Sequence, residues 1–229
     1  MKSPTIGILA GTAPGSTAAF IDLVVGECRS QYGAQHDSDF PRMLVCPQPA
    51  PPADGQAVME QSILVGLREL EHAGADFLAI AGDPAHAFHP RLAESVGVRL
   101  LDIVELMLDA IPESGRRLAL VAPRSTVESQ IFHRALRRNG HRLIDLEWQE
   151  EVDDLIAATR IPDDEQLCAQ RWTHLVARAE RACIDTLLVA SLDLSDVTQS
   201  AGTALHVVDA AQCLAHGVVA EWLARRVEE

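Results

Sequence analysis

The 229-residue chain is 48% hydrophobic, enough to bury one large core or two small ones and to fold independently. Its 19 basic against 33 acidic residues leave a net charge of −14, which opposes non-specific binding to nucleic acid or to anionic membrane surfaces. A local pocket for a small anion stays compatible with that charge, because net charge describes only the far field.

No apolar stretch approaches the roughly 20 residues needed to span a bilayer, and Met1-Lys2 leads into a strand pattern without a signal-peptide core. The expected location is cytoplasmic, with no membrane partner. Cys28, Cys46, Cys168, Cys183 and Cys213 are widely spaced and form no C-x-x-C pair, so they read as reduced thiols, mostly buried small hydrophobes.

Taken in chain order, the pattern predicts a strand at Thr5–Leu9, a helix at Ser16–Ser30, a strand at Met43–Cys46 and a helix at Gln56–Ala73. A strand at Phe77–Ala81, a helix at Pro90–Ser95, a strand at Arg99–Asp102 and a helix at Ile103–Ala110 complete a first half. The second half restarts near Ser114, with strands at Leu118–Ala122, Leu143–Leu146, Thr186–Ala190 and His206–Val208. Its helices fall at Val127–Asn139, Asp164–Cys183 and Ala210–Val227. The strands are continuous apolar runs rather than alternating ones, as expected of parallel strands covered on both faces.

Thr126 and Ser129 read as helix-opening residues and Asn139-Gly140 as a helix stop. The segment Gly74-Ala75-Asp76-Phe77 parallels Cys183-Ile184-Asp185-Thr186. The expected fold is therefore α/β: two similar doubly wound domains, each on a central parallel sheet, related by a pseudo-two-fold with a cleft between them. The expected boundaries are 1–113, with 211–229 packing back on it, and 114–210.

Several loops carry candidate chemistry. Thr12, Ala13 and Pro14 lie in the small-residue turn Gly11-Thr12-Ala13-Pro14-Gly15, whose backbone N–H groups suit a carboxylate or phosphate, or which simply connects a strand to a helix. It lacks the Lys of a Walker A loop and is not a G-x-G-x-x-G fingerprint. Ser125, Thr126, Val127 and Ser129 occupy the corresponding turn of the second half and are candidates for binding a carboxylate, with helix capping as the plainer role. His86 and His89 have an H-x-x-H spacing but no Glu or Cys partner for a metal, so no metal site is expected. The acidic stretch Glu147–Asp154 and Arg134, Arg137 and Arg138 read as solvated surface. Ser191 lacks a G-x-S-x-G context.

Thr5-Ile6-Gly7-Ile8-Leu9-Ala10-Gly11-Thr12-Ala13-Pro14, Gly74-Ala75-Asp76-Phe77, Ala85-His86, Thr126-Val127-Glu128-Ser129, Asp193-Leu194-Ser195 and Val208-Asp209 together resemble the aspartate/glutamate racemase family over nearly the whole chain. The resemblance implies a cofactor-independent isomerase scaffold, usually a homodimer. In this family two cysteines, one on each side of the cleft, invert the α-carbon of an acidic amino acid. Where the family has Cys-Asn-Thr-Ala-His, this chain has Gly82-Asp83-Pro84-Ala85-His86. Where it has Gly-Cys-Thr-Glu-Leu, this chain has Ala190-Ser191-Leu192-Asp193-Leu194.

Both sulfurs are thus replaced, and a serine hydroxyl supplies no anion near neutral pH without a strong activating partner. The Arg that clamps a carboxylate in aspartate-specific members aligns loosely with Ala53. Three readings stay open. One is altered acid–base chemistry next to a carboxylate, of isomerase or decarboxylase type, using Asp83, His86, Ser191 and Asp193. The arylmalonate decarboxylases that resemble this chain also carry glycine at the first tip, although they keep the second cysteine. The others are a catalytically inactive ligand-binding or regulatory protein, and an amino-acid racemase with non-cysteine bases. In each the partner is a small carboxylate or amino acid, and no cofactor is expected.

Overall fold

The computed structural model describes residues 3–10, 14–47, 56–111, 116–161, 164–200 and 203–227. The chain divides into two compact units, Met1–Ile103 with Leu214–Glu229, and Val104–Cys213. No helix among the described residues is long and apolar enough to cross a membrane.

The first unit runs β1 (Thr5–Leu9), α1 (Pro14–Tyr32), β2 (Arg42–Cys46), α2 (Gln56–His72), β3 (Phe77–Ile80), α3 (His89–Glu94) and β4 (Arg99–Leu100). The second begins with nearly all of α4 (Ile103–Asp109). It continues through β5 (Arg117–Val121), α5 (Arg124–Ser129), α6 (Ile131–Arg138), β6 (Arg142–Leu143), α7 (Gln149–Ala158), α8 (Glu165–Arg181), β7 (Thr186–Val189), α9 (Ser195–Ser200) and β8 (His206–Asp209). Helix α10 (Ala210–Val227) starts in the second unit and returns to the first. Its Trp222 indole donates to the Pro4 carbonyl at 3.0 Å, its Arg225 donates to the Asp76 carbonyl at 3.0 Å, and its Glu221 pairs with Arg99 at 2.7 Å.

Each unit holds a four-stranded parallel sheet, in the orders β2-β1-β3-β4 and β6-β5-β7-β8. The two orders correspond strand for strand, so the internal repeat read from sequence is a repeat of topology. It extends to single hydrogen bonds. The Asp76 carboxylate accepts the Thr5 N–H at 2.6 Å while the Asp76 N–H donates to the Thr5 carbonyl at 2.8 Å. Asp185 makes the same reciprocal pair with Arg117, at 2.8 Å in both directions. The tight turn before each Asp needs a left-handed residue, met by Gly74 (φ 92°) in one half and by the non-glycine Cys183 (φ 53°) in the other.

Central strands β1, β3, β5 and β7 are almost wholly buried, which is why they read as unbroken apolar runs. In the first unit Leu67, Leu70 and Ile63 of α2 pack on Leu9, Leu78 and Ile80. In the second, Trp172 and Leu175 of α8 and Val152 and Leu155 of α7 pack on Ala119, Val121, Leu187 and Val189. Close approach of the Leu78 side chain on β3 and of Ala75 in the turn after α2 constrains Gly7. A methyl group there would stand 2.6 Å from Leu78 Cδ2 and 2.8 Å from Ala75 Cβ. Gly7→Ala is therefore expected to destabilise the protein by about 1–3 kcal/mol through overpacking, seen as a lower urea midpoint with unchanged m-value.

Three local expectations are corrected. The helix expected over Val127–Asn139 is two helices, because Gln130 adopts a left-handed conformation (φ 61°) between α5 and α6. Thr126 and Ser129 do not cap it: the helix starts at Arg124 after Pro123, and the Ser129 hydroxyl donates back to the Thr126 carbonyl at 2.6 Å. The acidic stretch Glu147–Asp154 is not merely surface. Most of it forms α7, whose buried Val152, with Trp148 just before the helix, faces the core while Glu150 and Asp154 stay exposed. Acidic residues masked a period of apolar positions that continues through Leu155 and Ile156.

Candidate functional site

Parallel sheets present their candidate sites at the carboxyl ends of the strands, where loops leave for the covering helices. In the first unit, β3 ends at Ile80 and passes through Ala81 and Gly82 into a short 3-10 turn, Asp83–Phe88. The Ile80 carbonyl accepts two hydrogen bonds, from the Gly82 N–H at 3.1 Å and from His86 Nε2 at 3.0 Å. Because a carbonyl only accepts, Nε2 carries the proton, and in the neutral ring Nδ1 carries the lone pair. Nδ1 is buried without a hydrogen-bond partner among the described residues.

His86 is 2% exposed, and burial drives its pKa down to about 4, with the bond to Ile80 and the Asp102 charge opposing the fall and His89 assisting it. The ring is therefore neutral at pH 7. Its basicity is too low for efficient abstraction of a proton from carbon, since a general base works best with a pKa near the operating pH.

The His86 ring stacks on His89 with centroids 6.2 Å apart. His89 in turn donates from Nε2 to the Leu100 carbonyl at 3.2 Å and faces the Asp102 carboxylate from Nδ1 at 3.5 Å. The H-x-x-H spacing thus builds a hydrogen-bonded stack braced by strand carbonyls. No group of metal-ligating side chains occurs among the described residues. Thr12 and Ala13 lie outside the described residues, and of Pro14 and Asp83 only the backbone is described, at the first positions of α1 and of the 3-10 turn.

In the second unit the matching tip is Ser191, 4% exposed, which leads into the 3-10 turn Leu192–Leu194 and then α9. Its backbone (φ −157°, ψ 114°) has nearly the extended conformation of Gly82 (φ 169°, ψ 110°). No imidazole or carboxylate hydrogen-bonds the Ser191 hydroxyl among the described residues, so nothing there activates it as a nucleophile or base. Asp193 is engaged elsewhere, in an ion pair with Arg160 at 3.0 Å. That removes it from the open carboxylates of the tip and counts against the role expected of it.

Ser125 is exposed, Val127 and Ser129 are half-buried, and Thr126 is completely buried. The Thr126 hydroxyl has no hydrogen-bond partner among the described residues. An orphaned buried hydroxyl costs about 1–3 kcal/mol of desolvation. Thr126→Val should accordingly leave stability unchanged or raise it, in urea unfolding, while weakening the affinity for a carboxylate ligand. A destabilised Thr126→Val would show that the hydroxyl is already satisfied.

None of the five cysteines stands at either tip. Cys28 and Cys168 are buried in α1 and α8, their thiols pushed up mainly by burial. Cys46 closes β2, where burial and then the Glu69 charge raise it. Exposed Cys183 precedes β7, at the strand end opposite Ser191, and half-buried Cys213 lies in α10.

Two carboxylates were not singled out from sequence. Asp209 ends β8 and Asp102 lies two residues beyond β4, each directly before a helix, and β7–β8 register sets Asp209 opposite Val189. The signal was present: an Asp directly before an apolar-periodic segment is a helix N-cap pattern. Asp209 Oδ1 accepts the N–H groups of Ala211 at 2.8 Å and Gln212 at 3.3 Å. Burial raises its pKa, against the opposing effect of neighbouring hydroxyls of Ser195 and Thr198 and those two amides.

A model of the Asp/Glu/hydantoin racemase family matches residues 9–218. The chain is 32% identical over 225 residues to the broad specificity amino-acid racemase RacX of Bacillus subtilis (strain 168), covering 96% of this chain and 98% of that protein. Among solved structures, the Picrophilus torridus aspartate racemase is similar with a TM-score of 0.78 at 21% identity, over 96% of this chain and 94% of its own. An aspartate racemase homologue from Pyrococcus horikoshii OT3 gives 0.77 at 16% identity, over 97% and 100%. At those identities the two structures speak for the fold.

Proposed function

We propose that this chain, which belongs to the Asp/Glu/hydantoin racemase family, binds a small carboxylate or amino acid and performs chemistry of isomerase or decarboxylase type without thiols. The observation that carries this reading is the pair Gly82 and Ser191 at equivalent extended positions, with every cysteine elsewhere. Two-thiol racemisation needs a thiolate to remove the α-proton and a thiol to return one, and neither group is there.

What the tips offer lacks a strong base: the Ser191 hydroxyl has no activating partner among the described residues, and the His86 ring is neutral with its pKa driven down to about 4. Decarboxylation fits such a set better than proton abstraction. The bond between the α-carbon and a carboxylate breaks, CO2 leaves, and the electron pair left on carbon takes up a proton from a donor, so no strong base is required. The similarity to a broad specificity amino-acid racemase favours a second reading, racemisation through non-cysteine groups.

Proton NMR in heavy water, with L- and D-amino acids and small dicarboxylic acids including substituted malonates, separates these. Loss of a carboxyl group with deuterium entering the product supports the decarboxylase form, and α-proton loss from an amino acid supports the racemase form. Ligand line-broadening with no reaction would instead leave a catalytically inactive ligand-binding protein.

A further inference from the structure

The two sheets differ at the edge beside their first central strand. In the first unit β2 pairs with β1 over five residues, Thr5–Leu9 against Arg42–Cys46, and the Ala10 N–H extends the ladder to the Cys46 carbonyl at 2.9 Å. In the second unit β6 pairs with β5 over two residues only, Arg117–Leu118 against Arg142–Leu143. Successive carbonyls of a strand point to opposite neighbours. Those of Arg117 and Val121 accept from Asp185 and Ala190 on the β7 side, at 2.8 and 2.9 Å, and that of Leu118 accepts from Ile144 on the β6 side at 2.7 Å. The Leu120 and Ala122 carbonyls therefore face an edge that the strand has already left.

Two side chains take the place of the missing strand. The Trp148 indole donates to the Leu120 carbonyl at 3.1 Å, and Gln149 Nε2 donates to the Ala122 carbonyl at 3.0 Å. Gln149 Nε2 also donates to Asp153 Oδ1 at 2.9 Å, and Asp153 Oδ2 pairs with Arg124 at 3.0 Å. Two acceptors on one amide nitrogen use both of its N–H groups and fix the orientation of the side chain. Ala122 and Arg124 flank Pro123, so the first turn of α7 grips the end of β5 on both sides of that proline. Nothing comparable comes from α5 itself, a six-residue helix whose other side-chain hydrogen bond among the described residues, from Ser129 to the Thr126 carbonyl, is local. On its far side the same strand end carries the second tip, because the Val121 carbonyl accepts from Ala190, directly before Ser191.

We propose that Gln149 and Asp153 are positioning residues of the ligand site: acting through Ala122 and Arg124, they fix the carboxyl end of β5 and with it the turn carrying Thr126 and the neighbouring Ser191 tip. The inference rests on the reading that this end of the sheet receives a small carboxylate, and it adds what holds the receiving backbone in place. When the grip is lost, the apparent affinity falls by the fraction of molecules whose strand end has left the competent conformation.

The test compares the full-length wild type with Gln149→Met and Asp153→Asn, all 15N-labelled, at pH 7.5. Hydrogen exchange of the Thr126 and Val127 amides, which both donate to the Pro123 carbonyl, reads the grip without any ligand. Titration with malonate, followed at the Thr126 and Ser191 amides, reads its consequence for binding. Gln149→Met keeps side-chain length and net charge and removes the donor. Faster exchange at Thr126 and Val127 is expected, with exchange in α8 unchanged, and malonate binding weaker by about three- to tenfold.

Asp153→Asn separates positioning from plain electrostatics. Deleting a negative charge tightens the binding of an anion if charge alone matters. Releasing Arg124 from its partner is expected to weaken binding instead, by about two- to fivefold. Asp153 is a partly exposed carboxylate whose replacement leaves the core intact, so this variant carries the test if Gln149→Met fails to fold. Tighter binding by Asp153→Asn overturns the proposal, as do unchanged exchange and affinity in Gln149→Met. Faster exchange without loss of affinity makes α7 a structural brace only, and overturns it as well. Wild-type amides that ignore malonate remove the carboxylate reading of this strand end and the positioning role with it, whatever the heavy-water assay finds. Malonate shifts with the expected losses, but no reaction in that assay, remove the proposed chemistry and keep the positioning role.

Discussion

Gly82→Cys combined with Ser191→Cys is expected to create α-proton exchange on an amino acid in heavy water, on the order of 100-fold or more above either single variant. The backbone admits both changes. Gly82 is extended rather than left-handed, so a side chain there meets no conformational penalty, and Ser191→Cys exchanges one oxygen for sulfur. A thiol titrates near 8.5 and populates its anion near neutral pH, which a serine hydroxyl does not. Neither single substitution completes the pair, because one group must remove the proton and another return it to the opposite face. If the folded double variant exchanges no faster than the single ones, the difference from the two-thiol enzymes lies in more than the two sulfurs, and the ligand-binding residues have diverged with them.

Stability should depend on pH through His86 in a defined direction. Its folded-state pKa lies near 4 against an ordinary 6.5, so between those values the unfolded chain binds more protons than the folded one. The contribution of the neutral, buried ring is fully present above pH 6.5 and is lost as pH falls towards 4, to a total of roughly 3 kcal/mol. Urea unfolding at pH 7.5 and pH 5 measures it, provided His86→Gln is run alongside, since acid also acts on other groups, among them His133, whose pKa burial lowers. Wild type should lose more stability between the two pH values than His86→Gln does. Parallel losses would mean that His86 is hydrated or already protonated in the folded protein.

Both predictions start from positions that the sequence marks and take their sign from contacts that it does not. His86 could be named as a polar residue just beyond a strand. That its Nε2 is committed to the Ile80 carbonyl, and its other nitrogen buried, depends on how the turn Asp83–Phe88 folds back over β3. Asp193 looked equally suited to acid–base work until Arg160, thirty-three residues earlier, claimed it.

The sequence by itself determined the alternation of strands and helices, the two-fold repeat and the family, because apolar periodicity and strand-end residues are local properties repeated along the chain. It also determined that the tips carry no sulfur, which is a matter of residue identity alone. Tertiary structure decided which polar atoms are answered and which are left open. Register puts Asp209 level with Val189 beside the second tip, the bend at Gln130 ends α5 early, and the His89 imidazole faces the Asp102 carboxylate. Those outcomes depend on pairings between segments far apart in the chain and on burial, which sets the cost of leaving a polar atom unpaired, and neither is written in a local pattern.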